Sequence, residues 1–139
     1  MRYRQFGPTC IIRIDRGEEI VSTINEFCTG KRIFLGSVQG IGAVGNAEIG
    51  LFETATKKYH AKTLWGDLEL TALLGSITTM NGAPYLHLHA TITDSTHQAF
   101  GGHLKSAVVS GTCEVFITML EGRVDRVFDE ETGLNLLDL

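Results

Sequence analysis

The sequence is poor in the features that mark disordered, fibrous or membrane-spanning chains. It has two prolines, and 43% of its residues are hydrophobic against 20% charged, a balance that excludes wholesale disorder and low-complexity scaffolds. No apolar run reaches the ~18 residues of a membrane span. The first residues, Met1 to Thr9, lack the apolar segment of a signal peptide. We therefore predict a soluble globular protein with no targeting signal.

Cysteine is scarce as well. Cys10, Cys28 and Cys113 have no paired spacing, and an odd number is a poor basis for a disulfide framework, so the reducing cytoplasm fits best. A chain of 139 residues buries roughly two-thirds of the surface that it exposes when unfolded, which is enough for stability without a metal or a disulfide. A bound metal would therefore serve function rather than folding.

Positive charge is in deficit. Twelve Lys and Arg residues against sixteen Asp and Glu residues give a formal charge of −4, the wrong sign for a surface that binds phosphates. The basic residues occur singly or in pairs, such as Lys57-Lys58, and are not interleaved with aromatic residues as in proteins that bind single strands. Direct DNA binding is therefore disfavoured, unless a local basic patch or a partner supplies the affinity.

One segment has helical periodicity. Its apolar residues recur at spacings of three and four, which places them on one stripe of a helix: Ile20, Val21, Ile24, Phe27 and Cys28. Glu18 and Glu19 suit the positive end of the helix dipole, and Gly30 with Lys31 and Arg32 marks the end of the helix.

The rest of the chain has the composition of strands, which are rich in β-branched and aromatic residues and separated by glycine-bearing turns. The predicted strands are Thr9 to Asp15, Arg32 to Val38, Ala47 to Glu53, Lys58 to Leu64, Leu68 to Thr78, Tyr85 to Thr93, Ala107 to Leu120 and Arg123 to Phe128. As an alternative for Leu104 to Val109, the spacing of Leu104, Ala107 and Val108 by three and four residues is compatible with a short second helix. The prediction is an α+β protein, residues 1–139 forming one domain, with a mostly antiparallel, barrel-like sheet and one or two covering helices. Asp129 to Glu131 is a solvated turn before an apolar tail, Leu134, Leu136 and Leu137.

The glycines of Gly40-x-Gly42-x-x-Gly45 match the dinucleotide-binding fingerprint, in which a glycine-rich turn opens a helix beneath a pyrophosphate. Here an alternating segment follows them, so they open a strand, and no β-α-β alternation runs through the chain. We interpret them as a glycine-eased bend or bulge between strands.

The strongest chemical signal is the run Tyr85-Leu86-His87-Leu88-His89. Alternate residues of a strand share a face, so His87 and His89 lie about 6 to 7 Å apart on one face while the leucines occupy the other. His103 follows Gly101-Gly102, a pair without side chains that permits a close backbone approach, so we expect His103 to project from a tight turn. Three imidazoles suit a divalent transition metal and leave a coordination position open, although the two strand histidines could equally be polar surface residues.

The other two histidines have no comparable context. His97 lies in the connection after the predicted strand, and His60 lies among lysines, so we expect both at the surface. No cysteine has a neighbour that would lower its pKa, and burial is the common fate of such residues.

Four segments together resemble the PPC (plants and prokaryotes conserved) domain: Gly66 to Ile77, Tyr85-Leu86-His87-Leu88-His89-Ala90, Gly101-Gly102-His103-Leu104 and Glu114-Val115-Phe116-Ile117. The glycine-rich segment Gly40 to Ala47 is also similar to that family, and the resemblance extends from about Phe6 to about Phe128. It implies an α+β fold, a homotrimer, and a metal held by His87, His89 and His103. It also brings the description of DNA-binding protein, although the chain lacks the Arg-Gly-Arg-Pro AT-hook that plant members carry.

The resemblance and the residues lead to two functional hypotheses. In the first, the protein is a cytoplasmic, metal-binding homotrimer, with zinc as the first candidate, that acts as a regulatory or protein-interaction module and reaches DNA through partners. In the second, it is a metal-dependent hydrolase or lyase that uses a metal-bound water at the three histidines. Its general acid or base is not identified, since Glu48, Glu69 and Glu114 qualify only as carboxylates on predicted strands.

Overall fold

The chain forms eight strands and one helix in a computed structural model that describes all residues, Met1–Leu139. In chain order the elements are β1 Arg2–Phe6, β2 Thr9–Asp15, α1 Ile20–Lys31, β3 Gly36–Glu53, β4 Lys58–Met80, β5 Ala83–Thr93, β6 Ala99–Met119, β7 Arg126–Asp129 and β8 Leu134–Leu137. The helix has neither the length nor the apolar character required to cross a membrane.

Six strands build one antiparallel sheet in the order β1-β2-β6-β3-β4-β5, and β7 and β8 form a separate hairpin. The sheet curls, because β5 pairs with β4 on one side and with the first residues of β6 on the other, from Thr93 opposite Ala99 to His89 opposite His103. It is barrel-like but not closed, since β1 pairs only with β2 and remains an edge strand. The α+β prediction with a mostly antiparallel sheet is confirmed.

Strands β3 and β4 are continuous where the sequence predicts interruptions. Strand β3 contains two predicted strands, Ala47 to Glu53 and the part of Arg32 to Val38 that follows residue 35. Strand β4 contains two more, Lys58 to Leu64 and Leu68 to Thr78. The glycine segment of β3 carries register shifts between Gly40 and Gly42, so the bulge interpretation is confirmed. A Cβ atom on Gly42 would lie 2.6 Å from the carbonyl oxygen of Thr112, which shows that the glycine lets β6 approach.

The helix follows its predicted stripe, with Ile20, Ile24, Phe27 and Cys28 buried, and it lies against β5 and β6. Glu19 is its N-cap, and the carboxylate accepts hydrogen bonds from the backbone N–H groups of Val21 at 3.0 Å and Ser22 at 2.6 Å. The same carboxylate accepts from the N–H of Ala107 at 2.9 Å, which ties the helix to β6. Glu18 does not cap the helix; it accepts a hydrogen bond from the N–H of Asp15 instead. The helix ends at Lys31, and Arg32 is its left-handed cap at φ 57°, not the start of a strand.

Three predictions on element type or boundary are wrong. Leu104 to Val109 is not a second helix but part of β6, where Leu104 pairs with Ile49 and Ala107 pairs with Ala47. β6 begins at Ala99 rather than at Ala107, and the strand predicted over Arg123 to Phe128 begins at Arg126. Two elements were not predicted: β1, whose residues are all exposed, and β8, which makes the leucines of the tail part of a hairpin. The turn at Asp129 to Glu131 joins β7 to β8 as expected.

Two buried threonines of β4 attach the β7–β8 hairpin to the sheet. Thr79 is fully buried; its N–H donates to the carbonyl of Val124 at 2.9 Å, and its hydroxyl donates to the same oxygen at 3.1 Å. Thr78 accepts a hydrogen bond from Nε of Arg126 at 2.8 Å. Because buried hydroxyl groups need partners, these bonds fix the hairpin beside the sheet.

The core consists of 26 buried apolar residues between the helix and the inner face of the sheet. It includes Cys10, Cys28 and Cys113, all of them free. Burial raises the pKa of the Cys28 and Cys113 thiols to about 12. The thiols are therefore structural, as the sequence predicts, because only a thiolate is reactive.

Candidate metal centre

Strand β5 presents His87 and His89 on the outer face of the sheet. Leu88 and Ala90 alternate with them and are buried in the core, so the predicted separation of faces is confirmed. The strand is held on both edges around these residues, by β4 along its whole length and by β6 from His89 onward. The two imidazoles therefore project from a backbone whose hydrogen bonds restrict its motion.

His103 lies directly opposite His89 in the β5–β6 register and next to Gly50 in the β3–β6 register. The expectation that His103 projects from a tight turn is wrong, because Gly101 and Gly102 are strand residues of β6. Their role is close approach: a Cβ on Gly102 would stand 2.7 Å from the carbonyl oxygen of Gly50. The absence of this side chain brings β3 and β6 together at the histidine cluster.

The three imidazoles converge. Nε2 of His87 lies 3.3 Å from Nε2 of His89, and one nitrogen from each of the three rings lies within 4.8 Å of the others. The ring centroids are 5.1 Å apart for His87 and His89, 5.5 Å for His87 and His103, and 5.7 Å for His89 and His103. With metal–nitrogen bonds of about 2.0 to 2.1 Å, a tetrahedral site separates its nitrogens by about 3.3 to 3.4 Å. The spacing of the first pair matches this value.

The environment favours the neutral form of the ring that a metal requires. Burial lowers the pKa of His87, and the charges of His89, Arg126 and His103 lower it further. Burial also lowers the pKa of His103, with a second contribution from His89. Both rings therefore keep a lone pair available to somewhat lower pH than a free histidine does.

His60 and His97 lie at the surface, as expected. His97 is exposed in the turn after β5 at φ 63°. His60 is exposed on β4, and its Nε2 lies 3.2 Å from the Glu53 carboxylate. Neither belongs to the cluster of converging nitrogens.

The cluster lies in a cleft of about 750 Å³ between the outer face of the sheet and the β7–β8 hairpin. None of the three glutamates considered as acid or base lines this cleft. Glu48 forms an ion pair with Lys105 at 2.8 Å, and Glu114 lines a different groove. The structure thus does not bring Glu48, Glu69 or Glu114 to the histidines.

The cleft contains two residues that the sequence did not single out. The ring of Tyr59 meets His103 edge-on with centroids 6.2 Å apart, and it lies against Gly50, where a Cβ would be 2.1 Å from the tyrosine oxygen. Burial and, second, the charge of Glu48 raise the pKa of Tyr59, so its hydroxyl stays protonated. The second residue is Arg126 of β7. Tyr59 is on a different strand from the histidines, and Arg126 follows His103 by 23 residues. Neither residue has a regular spacing to the histidines from which the sequence could have predicted its position.

Arg126 is held by four contacts. Its Nε donates to Thr78 at 2.8 Å, and one terminal nitrogen donates to the carbonyl of Asn135 at 2.7 Å. The other terminal nitrogen lies 3.5 Å from the hydroxyl of Ser76. The guanidinium carbon stands 4.8 Å from the ring centroid of Tyr85, within the range of cation–π attraction. Arg126 is thus fixed at the wall of the cleft that holds the histidines.

The chain is similar to solved structures along its whole length. A protein from Bacteroides thetaiotaomicron described as a "putative DNA binding protein" is 38% identical, with a TM-score of 0.97 over 99% of this chain and 96% of that chain. A protein from Archaeoglobus fulgidus described as metal-containing is 35% identical, with a TM-score of 0.88 over 100% of this chain and 99% of that chain.

A more distant likeness shows the fold alone. The α-acetolactate decarboxylase from Bacillus subtilis is 18% identical, with a TM-score of 0.60 over 96% of this chain and 62% of that chain. No curated protein sequence matches the chain. The model of the Plants and Prokaryotes Conserved (PCC) domain, which is the PPC domain of the sequence resemblance, matches residues 1–121. The chain therefore belongs to the Plants and Prokaryotes Conserved domain family.

Proposed function

We propose that the protein is a metal-binding PCC module that holds one divalent transition metal, with zinc as the first candidate, on His87, His89 and His103. The observation that carries the proposal is the convergence of three imidazoles on a sheet, with two of their nitrogens 3.3 Å apart. That spacing matches the distance between two nitrogens in tetrahedral coordination. The lowered pKa values of His87 and His103 favour the neutral rings, which are the form that binds metal.

The chemistry of the donor set supports a borderline transition metal. Neutral imidazoles suit zinc, iron, nickel or copper, whereas magnesium and calcium prefer oxygen ligands. The relative from Archaeoglobus fulgidus, described as metal-containing, agrees with this choice. A metal bound there would supply a Lewis acid with room for water or a small anion.

We further propose that the chain, residues 1–139, acts as one domain and assembles as a homotrimer. The family resemblance implies this state, and exposed apolar side chains on the sheet support it. Trp65 is 73% exposed, Leu74 is 59% exposed and Ile41 is 56% exposed. Leu74 and Ile41 lie in one groove with Phe116. Exposed apolar surface of this kind is typical of interfaces between subunits.

In this proposal the module is regulatory, located in the cytoplasm, and associated with DNA through protein partners. The net charge of −4 argues against a surface that holds phosphates by itself, even though similar proteins are described as DNA-binding. Several basic side chains are also neutralised locally, as in the Arg13–Asp15 and Lys105–Glu48 pairs. The buried free thiols fit a reducing compartment.

Elemental analysis and light scattering of the purified protein test the metal and the trimer together. We expect one equivalent of metal per chain and a mass three times the 15.2 kDa of the chain. The variant in which His87, His89 and His103 are all replaced by alanine should keep the sheet and lose the metal. His60→Ala and His97→Ala are matched controls that should retain it. Stoichiometric metal in the triple variant contradicts the site, and a monomer at micromolar concentration contradicts the trimer.

DNA binding is tested by titrating a labelled duplex at several salt concentrations. We expect no tight complex at physiological salt, because a chain with a net charge of −4 is repelled by the phosphates of DNA. A nanomolar dissociation constant that weakens steeply with salt would overturn the partner-mediated role and point to a basic patch built by several subunits.

A second candidate function is a metal-dependent hydrolase or lyase. The observation in its favour is the cleft of about 750 Å³ that opens beside the histidines, a volume in the usual range for small-molecule sites. The protonated hydroxyl of Tyr59 is the group of this chain placed to donate a proton near His103. Turnover that is abolished both by a chelator and by Tyr59→Phe, in protein that keeps its metal after the substitution, would favour the enzyme. Turnover that persists in Tyr59→Phe would exclude this role of the hydroxyl.

A further inference from the structure

We infer that the cleft is a binding site for a small organic carboxylate, whose negative group lies between the three-histidine metal centre and the guanidinium of Arg126. The inference rests on the metal centre proposed above and adds the chemical class of ligand that the centre would take. Three sets of observations carry it: the charge of the cleft, the unused donors of Arg126, and the apolar remainder of the wall.

The charge of the cleft is opposite to that of the chain. Eighteen residues line it and none is an aspartate or glutamate, although the chain carries sixteen acidic residues. Two cations, Lys62 and Arg126, do line it. Three neutral imidazoles would leave the charge of a divalent ion uncompensated, because none of them carries a negative charge. An anion is therefore the ligand that restores electrical balance in this space.

Arg126 lines the cleft and retains hydrogen-bonding capacity for such an anion. A guanidinium has five N–H donors, and three are engaged with Thr78, the Asn135 carbonyl and Ser76. Two donors stay free on a group whose position is fixed in advance. The planar arrangement of these donors matches a carboxylate in shape, and pre-organisation lowers the entropy cost of binding.

The position of Arg126 relative to the histidines suits a ligand of a few atoms. Arg126 stacks on Tyr85, which precedes His87 by two residues on the same face of β5, a separation of about 7 Å along the strand. A carboxylate bound at the metal centre would therefore be within reach of the guanidinium.

The remainder of the wall is apolar and aromatic, and it includes Phe52, Tyr59, Phe100 and Leu136. Lys62 lies over the ring of Phe100 at 4.2 Å from its centroid, so its ammonium group is kept at the edge of this surface. A ligand with one charged end and a short apolar body fits a cleft that has one positively charged part and one apolar part. A polyphosphate does not, because it would place further negative charge against the aromatic wall.

The experiment uses the metal-loaded protein and two probe pairs, benzoate with benzamide and butyrate with butyramide, together with inorganic phosphate. Calorimetric titration should show carboxylate binding with a dissociation constant on the order of 1 mM or below, and at least about tenfold weaker binding of the amides. Protein loaded with cobalt should change its visible absorption spectrum when a carboxylate binds, which reports contact at the metal.

Two variants distinguish a direct contribution of Arg126 to ligand binding from a general effect of removing positive charge. Arg126→Met should weaken benzoate binding by about tenfold or more while the metal content stays the same. Arg16→Met removes an exposed arginine outside the cleft and should leave the benzoate affinity unchanged. If Arg126→Met does not fold, the comparison of carboxylate with amide in the unsubstituted protein decides the question.

The outcomes distinguish the two proposals. Full metal content with equal binding of benzoate and benzamide, or with none of either, overturns the inference and leaves the metal centre standing. Phosphate binding more tightly than both carboxylates also overturns it, because the site would then select a different anion. A protein that takes up no metal refutes the proposed function itself, and the carboxylate site falls with it.

Discussion

Replacing Gly75 by alanine should disturb the strand pair that carries the metal-binding histidines. Gly75 lies in β4 opposite Leu88 of β5. A Cβ added there would stand 2.2 Å from the carbonyl oxygen of His87 and 3.0 Å from the Cα of Leu88, whereas ordinary van der Waals contact begins near 3.4 Å. The Cδ2 atom of Leu88, at 2.7 Å, can rotate away, but the other two obstacles are backbone atoms that no side-chain rotation moves. The two strands must separate at the histidine.

Inserting a group into such a closely packed place costs about 1 to 3 kcal/mol. For a domain of this size, each kcal/mol lowers the midpoint of thermal unfolding by roughly 3 to 5 °C, so we expect a decrease of about 3 to 15 °C. His87 moves with its backbone, and its nitrogen leaves the 3.3 Å spacing to His89. The metal affinity should therefore fall together with the stability.

Gly45→Ala is the matched control. Its Cβ would meet Ser110 at 3.6 Å, an ordinary contact, so alanine should leave the midpoint unchanged or raise it slightly by restricting the unfolded chain. Calorimetry gives the midpoints, and competition with a chromogenic chelator gives the metal affinity. Equal midpoints and equal metal affinities for the two variants would refute the argument from close approach.

Three further predictions concern protonation and anchoring. Burial lowers the pKa of His87 and His103, and only the neutral ring binds metal. Equilibrium dialysis should therefore show metal retained at pH 6.5 and released progressively at lower pH. Release that begins above pH 7 would contradict the assigned protonation. Thr79→Val should lower the free energy of unfolding by about 1 to 3 kcal/mol in urea titrations, because the Val124 carbonyl and the Arg123 guanidinium, just before the hairpin, each lose a hydrogen bond to the buried hydroxyl. Replacement of the exposed Thr71 by valine should cost less than half as much. Glu19→Ala should cost about 1 to 2 kcal/mol in the same assay, and no loss would show that the carboxylate does not cap the helix.

Local periodicity predicted the parts of the fold in which one face is clearly apolar. The stripe of α1 and the alternation of Leu88 and Ala90 with the histidines of β5 are patterns of this kind, and both correspond to buried faces. The prediction for Leu104 to Val109 failed because a register shift between Glu48 and Ile49 places one extra residue in β6. The bulge leaves both Leu104 and Ala107 buried, at the spacing of three that is typical of a helix. Pairing with β3, a contact distant in sequence, decides the element type there.

Long-range contacts also explain what was missed at the candidate site. The spacing of His87 and His89 suggested a shared face, and the glycine pair indicated a close approach before His103. Arg126 reaches the cleft only because two threonines of β4 anchor the hairpin, and nothing near Arg126 in the sequence signals it. Tyr59 depends in the same way on the missing side chain of Gly50.

The arrangement of β6 has a consequence for how the protein folds. This strand pairs with β2, β3 and β5, and Thr9 lies opposite Thr118, so a central part of the sheet joins segments from opposite ends of the described chain. Non-local pairing of this kind slows folding, typically to milliseconds or seconds, because chain entropy is lost before the contacts form. On the ribosome, β2 can pair with β1 and β3 can pair with β4, but the two pairs cannot join into one sheet until β6 emerges. His103 lies in the stretch of β6 that joins β3 to β5, so the histidine cluster is complete only after β6 has paired with β5.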